Sequence, residues 1–208
     1  GRMESNQVEN MHVKVSKQGP LGIDVVFGNA SMDMYVEYGQ FRKSKEVFDD
    51  LKVTNSFSST ASLTGCEKVC EVKGVFTSFT KMVAEGISPD AVTFIVLLIA
   101  CSHAGLVEEG KLYFDLMTNV YGLTPSLEHY TCMIDLFGRA GYLESAVHLI
   151  EKVTPCHHSR LWSVLLASCR KWENVKLGQW VFEHSVTSNA NDASPYVCMS
   201  NIYATCGK

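Results

Sequence analysis

One register of core, turn and core residues returns six times along this chain, and nothing else in the sequence constrains the fold as strongly. Counted from Val25, Ser56, Ala91, Leu127, Ser159 and Ala193, the eleventh residues are Tyr35, Cys66, Cys101, Phe137, Cys169 and Tyr203. The fifteenth are Gly39, Cys70, Gly105, Gly141, Glu173 and Gly207, and the twenty-fourth are Phe48, Phe79, Phe114, Ile150 and Phe182. Apolar places that recur at such intervals mark a solenoid, in which each unit buries its apolar face only against its neighbours.

The spacing within each unit is helical. In the third segment Phe94, Leu97, Leu98 and Cys101 form one stripe, the Ala104-Gly105 pair a turn, and Leu112, Phe114 and Met117 a second stripe leading to Gly122 and Pro125. Gly closes the first helix and Pro follows the second, as helix-stop chemistry requires. The fourth segment repeats this with Tyr130, Met133, Ile134 and Phe137, then Gly141, then Ala146, Leu149 and Ile150. Sustained period-two alternation and Asn-Gly or Asp-Gly hairpins are missing, so an all-α fold is expected.

The segments run 31 residues (25–55), 35 (56–90), 36 (91–126), 32 (127–158) and 34 (159–192), and the sixth stops after 16. Residues 25–158 are expected to form four repeats, and 159–208 two further motifs with the second cut short. Residues 1–24 are expected to hold the tail of a preceding unit, with Met11 to Lys17 as its second helix. A solenoid that stops on half a repeat leaves a helix face bare, so the chain is expected to be part of a longer protein. No signal or transit pattern opens it, and a targeting segment is expected to lie outside these residues.

Composition bears on function in four ways. At 46% hydrophobic and 19% charged, the chain can build a core and is not disordered by composition. The longest apolar run, Ala91 to Cys101, is 11 residues and contains Thr93, well short of the ~20 that span a membrane. The formal net charge of -4 supplies no basic field to draw in a nucleic acid, and it favours a protein partner. Of the eight cysteines, Cys66, Cys101 and Cys169 share one register position, and Cys132 and Cys198 another. They are expected to be small buried thiols rather than a disulfide framework.

Catalytic and metal-binding patterns are lacking. Cys66 and Cys70 are spaced C-x-x-x-C, read as one helix face, and Cys156, His157 and His158 as a loop between units rather than a zinc site. Asp49-Asp50 reads as an exposed helix end, and His103 as a structural residue beside a turn. No H-x-E with a later C-x-x-C occurs, and no phosphate loop or nucleophile elbow. The chain is not expected to be an enzyme or to carry a cofactor.

Particular stretches carry a family likeness. "PDAVTFIVLLIACSHAGLVEEGKLYFDLM" from Pro89 resembles the last long motif of the PLS subclass of plant pentatricopeptide repeat proteins, and "LEHYTCMIDLFGRAGYLESAVHLIEKV" from Leu127 the short motif that follows. "LWSVLLASCRKWENVKLGQ" from Leu161 and "YVCMSNIYATCGK" from Tyr196 resemble the two E motifs, and "GNASMDMYVEYG" from Gly28 an upstream short motif. The resemblance implies a right-handed α-solenoid of antiparallel helix pairs that binds single-stranded organellar RNA, one base per motif. It implies reading by position five together with the motif's last residue. Those pairs are Asn29 with Asn55 (pyrimidine), Thr60 with Asp90 (guanine), Ile95 with Ser126 (little preference), and Thr131 with His158, where the family usually carries Asp. Position two would flank the base, with Val26, Phe57 and Val92 apolar as required and Glu128 set against phosphate.

The family resemblance further implies site recognition in C-to-U editing, with a deaminase or editing accessory protein recruited through the E motifs. It places the protein in a mitochondrion or chloroplast, the mitochondrion favoured. Two other readings stand beside it: a peptide-binding solenoid of the tetratricopeptide sort, whose units hold near 34 residues and carry W-x-x-L-G, and an inactive remnant. The second segment's first helix, SFSSTASLTGC, bears on the remnant reading. Ser59 and Ser62 stand there where the family has an aromatic and an apolar residue, so loose packing is expected. Cys70 and Glu173 replace turn glycines, and strain is expected wherever the turn needs a positive φ.

Overall fold

The structure, a computed structural model, describes residues 25–50, 55–68, 72–153, 158–188 and 192–205. Met11 to Lys17, Cys70, Cys156 and His157 lie outside them. The described residues form eleven helices and no strand: α1 Val25–Glu37, α2 Phe41–Asp50, α3 Ser56–Lys68, α4 Val72–Ala84, α5 Ala91–Ala104, α6 Val107–Asn119, α7 Leu127–Ala140, α8 Leu143–Glu151, α9 His158–Lys171, α10 Val175–Ser188 and α11 Ser194–Thr205. The fold is an all-α solenoid of helix pairs. Two compact units, residues 1–100 and 101–208, divide inside α5.

The helix boundaries follow from local chemistry. The first helices α3 and α5 each open on a polar residue that satisfies a backbone donor of the first turn, which has no partner within the helix. Asn55 Oδ1 accepts from the Ser58 N–H (2.9 Å) while the Asn55 N–H donates back to Ser58 Oγ (2.9 Å). Asp90 Oδ1 accepts from the Thr93 N–H at 2.8 Å. The first helices whose ends are described, α1, α5, α7 and α9, close alike. The Leu106 N–H reaches Cys101 O at 2.9 Å around Gly105, whose φ is +69°, and the Tyr142 N–H reaches Phe137 O at 2.8 Å around Gly141, whose φ is +85°. After α9 the Asn174 N–H reaches Cys169 O at 3.0 Å around Glu173, held at φ +52° with a side chain that disfavours it.

In the first unit α1 packs on α2 and α3, α2 on α3, and α3 on α4. Met32, Tyr35, Val47 and Phe48 make one buried cluster, with Met34 and Ala61 against it. Phe79 of α4 meets Phe94 of α5 edge-on, ring centroids 6.1 Å apart. The middle of α3 is polar where a core would be apolar: Ser58, Ser59, Thr60 and Ser62 are all buried, and Ser59 Oγ, on a residue 2% exposed, has no hydrogen-bond partner. An unpaired buried hydroxyl costs roughly 1–3 kcal/mol.

In the second unit α6 packs on α7, α7 on α8, and α9 on α7, α8, α10 and α11. Leu161, Leu165, Leu166 and Cys169 of α9 are fully buried, as are Ile134 and Leu136 of α7. Two side chains at the C-terminal end of α9 cap α7. Trp172 Nε1–H donates to Gly138 O (2.7 Å) and Lys171 Nζ to Arg139 O (2.8 Å), satisfying carbonyls that helix geometry leaves open. The Cys101 and Cys169 thiols, both buried, have their pKa pushed up to about 12, Cys101 by burial and then by the charge of Glu109, Cys169 by burial.

Candidate functional site

In the first unit a half-open cleft of about 230 Å³ lies between first helices, lined by Asp33 and Val36 of α1, Thr60, Ala61 and Thr64 of α3, Asp90, and Val92 at the start of α5. It is smaller than the roughly 300–1,000 Å³ of cofactor and drug pockets, and suits a single planar ring system. Val36, Ala61 and Val92 supply apolar walls. The rest is oxygen.

The protons of those oxygens can be followed. Thr93 is fully buried, and its Oγ1 donates to Asp90 Oδ1 at 2.8 Å while accepting from the Asp90 N–H at 3.3 Å. A hydroxyl has one proton and two lone pairs. The 2.9 Å contact between Thr60 Oγ1 and Thr93 Oγ1 therefore has Thr60 as its donor. Thr64 Oγ1 spends its own proton on Thr60 O at 2.9 Å. Neither threonine hydroxyl then has a proton for the cleft, and ionised Asp33 and Asp90 can only accept. The cleft presents acceptors.

Of the residues expected to read or flank bases, Thr60 and Asp90 (reading) and Val92 (flanking) are brought together here. Thr60 is 8% exposed, at the floor, and Val92 is 51% exposed, at the rim. The others are placed differently. Asn55 caps α3 through its side-chain oxygen. Ile95 is half-buried in α5. Ser126 caps α7, its N–H donating to His129 Nδ1 at 3.1 Å and its Oγ to Glu128 Oε2 at 2.8 Å. That hydroxyl, first among its causes, holds the Glu128 carboxyl below its ordinary range. Thr131 Oγ1 donates to Leu127 O of its own helix at 2.8 Å. Asn29, Val26, Phe57 and His158 lie on α1, α1, α3 and α9, and their side chains fall outside the described residues.

The motif reading missed Asp33, Val36, Ala61, Thr64 and Thr93. A signal for two of them was available: Asp33 and Thr64 follow Asn29 and Thr60 by four residues, so one helix face carries both members of each pair. Thr93 had no such signal, because its role depends on hydrogen bonds that cross between helices. Among the described residues no group of three His, Cys, Asp or Glu side chains is placed to hold a metal ion, and no helix is long and apolar enough to cross a membrane.

The family model described as PPR repeat matches residues 92–119 and 128–154. Pentatricopeptide repeat-containing protein At2g13600 of Arabidopsis thaliana is 39% identical over 185 residues, 89% of this chain and 26% of its own. At5g40410 of the same plant, a pentatricopeptide repeat-containing protein named mitochondrial, is 38% identical over 96% of this chain and 34% of its own. The chain belongs to the pentatricopeptide repeat family. It spans about a quarter to a third of the length of these relatives. Among solved structures, maize pentatricopeptide repeat protein PPR10 superposes with a TM-score of 0.72 at 18% identity, over 89% of this chain and 28% of that one. A crystal structure of PPR10 in complex with an 18-nt psaJ RNA element superposes at 0.62 and 17% identity, over 99% and 35%. At these identities the solved structures share the solenoid, and the cleft of this pentatricopeptide repeat chain stands on its own geometry.

Proposed function

We propose that this chain is a segment of a sequence-specific, single-stranded RNA-binding protein that takes one base per helix pair. The observation that carries the reading is the cleft in which Thr60, Asp90 and Val92 converge: apolar walls to sandwich a ring and acceptors to meet its edge. Guanine fits that edge, since its N1–H and N2 amino group are adjacent donors, whereas adenine, cytosine and uracil each present a single donor group there, flanked by acceptors that face the carboxylates. The family, and the PPR10 structure solved with RNA, support the same partner.

The finer proposal is a site-recognition factor for C-to-U editing, of the PLS subclass with E motifs in residues 159–208. It would work in an organelle, with a deaminase or accessory protein engaged through the E motifs. The mitochondrial relatives support the location, and the lengths of the segments support the subclass.

Gel shifts against a randomised RNA library test the core of the reading: enrichment of one sequence is expected, and equal affinity for all sequences refutes it. Few bases are read by these residues. At ~1–3 kcal/mol each, set against an association cost of ~4–15 kcal/mol, they leave the isolated chain a weak binder. A submicromolar Kd at physiological salt would contradict this. The acceptor-only cleft and the net charge of -4 also fit an arginine-bearing peptide, as in a tetratricopeptide-like solenoid. RNA-dependent protection of the cleft, with no response to arginine peptides, separates the two.

A further inference from the structure

We propose that Thr93, which is not one of the base-reading positions, sets the selectivity of the cleft by holding the proton of Thr60. The inference rests on the cleft's being a base site and adds a positioning residue to it. A threonine hydroxyl is by itself an ambivalent reader, able to meet a donor or an acceptor on a base edge. At Thr60 the ambivalence is removed. Thr93 Oγ1 gives its only proton to Asp90 Oδ1 (2.8 Å), so it can meet Thr60 Oγ1 (2.9 Å) only by accepting. The lone pairs of Thr60 are thereby left for the cleft. Among the described residues that line the cleft no neighbour restores a donor, since the Thr64 proton is committed to Thr60 O. Thr93 is fully buried and does not line the cleft, so it acts through Thr60 and not by contact with the base.

The other unit supplies the contrast. Thr131 holds the position equivalent to Thr60, and the place equivalent to Thr93 in the following segment is Leu161, fully buried and unable to accept. Thr131 turns its proton onto Leu127 O of its own helix instead. The relay from reader to cap thus belongs to the first unit, and it needs a hydroxyl at residue 93.

The test uses the 208-residue chain and RNA heptamers identical except for G, A, C or U at one position, with binding followed by fluorescence anisotropy at low ionic strength. Thr93→Val keeps the side-chain shape and leaves Asp90 Oδ1 capping the backbone N–H of residue 93. It frees the Thr60 hydroxyl to rotate. The preference for G over A is expected to fall about three- to tenfold, one neutral hydrogen bond's worth, while Thr93→Ser retains it. Thr93→Ala, a better helix former that also lacks the hydroxyl, carries the same expectation should the valine disturb folding. In a Thr60→Val background, adding Thr93→Val is expected to change the ratio less than about twofold, since the two act as one unit. Full preference in Thr93→Val and Thr93→Ala would overturn the role of Thr93 and leave base reading intact. Equal binding of all four heptamers by the unaltered chain would overturn both.

Discussion

Thr60 and Thr131 occupy the same place in their repeats, and the two halves of the molecule use them differently. In the first unit Thr60 lies at the floor of a cleft, in a hydrogen-bond chain that runs through Thr93 to Asp90. In the second, Thr131 is bonded to its own helix and the neighbouring cap is Ser126, tied to Glu128 and His129. Packing is divided in the opposite sense. The second unit has Leu161, Leu165 and Leu166 fully buried in α9 and a Trp172 clamp on α7, whereas α3 of the first unit buries four small polar residues and leaves Ser59 Oγ without a partner. One register position can line a cleft or turn its hydroxyl onto its own helix, and the residues around it decide which. Small hydroxyls that make a cleft readable also thin the core behind it.

The sharpest way to break this contrast is to empty each side in turn. Leu165→Ala in the second unit is expected to cost about 2–5 kcal/mol in urea or thermal unfolding, the range for a fully buried leucine. Ser59→Ala is expected to be neutral or to stabilise by up to ~1 kcal/mol, because it deletes an unpaired buried hydroxyl. A loss at Ser59→Ala as large as at Leu165→Ala would show the two cores to be equally tight. Next in size is binding. Thr60→Val is expected to weaken the preferred RNA heptamer about tenfold relative to its single-base variants, an effect of the order of ~1–1.5 kcal/mol, and Thr131→Val to leave that ratio within about twofold. The reverse order would move the reading site to the second unit.

Two smaller effects sharpen the picture. Glu173→Gly is expected to stabilise the fold by ~0.5–1 kcal/mol, read as a higher melting temperature, since glycine relieves the +52° φ at the cost of some chain entropy. Gly141→Ala, at +85° and with the Trp172 ring 3.1 Å from where a Cβ would stand, is expected to do the opposite. The smallest effect is at Asp33, whose carboxyl is raised from its ordinary 3.8 by partial burial and then by the charge of Glu37. Relative to the unfolded chain, folding shifts the balance toward the protonated form. Its contribution to stability is therefore full below pH 3.8 and is lost as pH climbs through the raised value. Asp33→Asn, which never ionises, is expected to gain no more than ~0.3 kcal/mol at neutral pH after solvent screening, and melting curves should show that gain vanish as pH falls.

Much of the fold was legible from residue spacing. The stripe of Phe94, Leu97, Leu98 and Cys101 is fully buried as one helix face, and the turn glycines Gly39, Gly105 and Gly141 all take positive φ. Glu173 was readable as a strained substitute because a turn's geometry is set by its neighbours in the chain. The site was only partly legible. Thr60, Asp90 and Val92, marked by register, line one cleft, and Asp33 and Thr64, which also line it, were readable one helical turn from positions already marked.

What the sequence by itself determined, then, is whatever depends on near neighbours: helix faces, their ends, their caps and the period at which they recur, all settled within about four residues of chain. Only the tertiary structure decided which polar groups share a cleft and which way their protons point. A hydroxyl's choice between giving and receiving is made by partners such as the one 33 residues away that links Thr60 to Thr93, and a linear pattern holds no record of that choice.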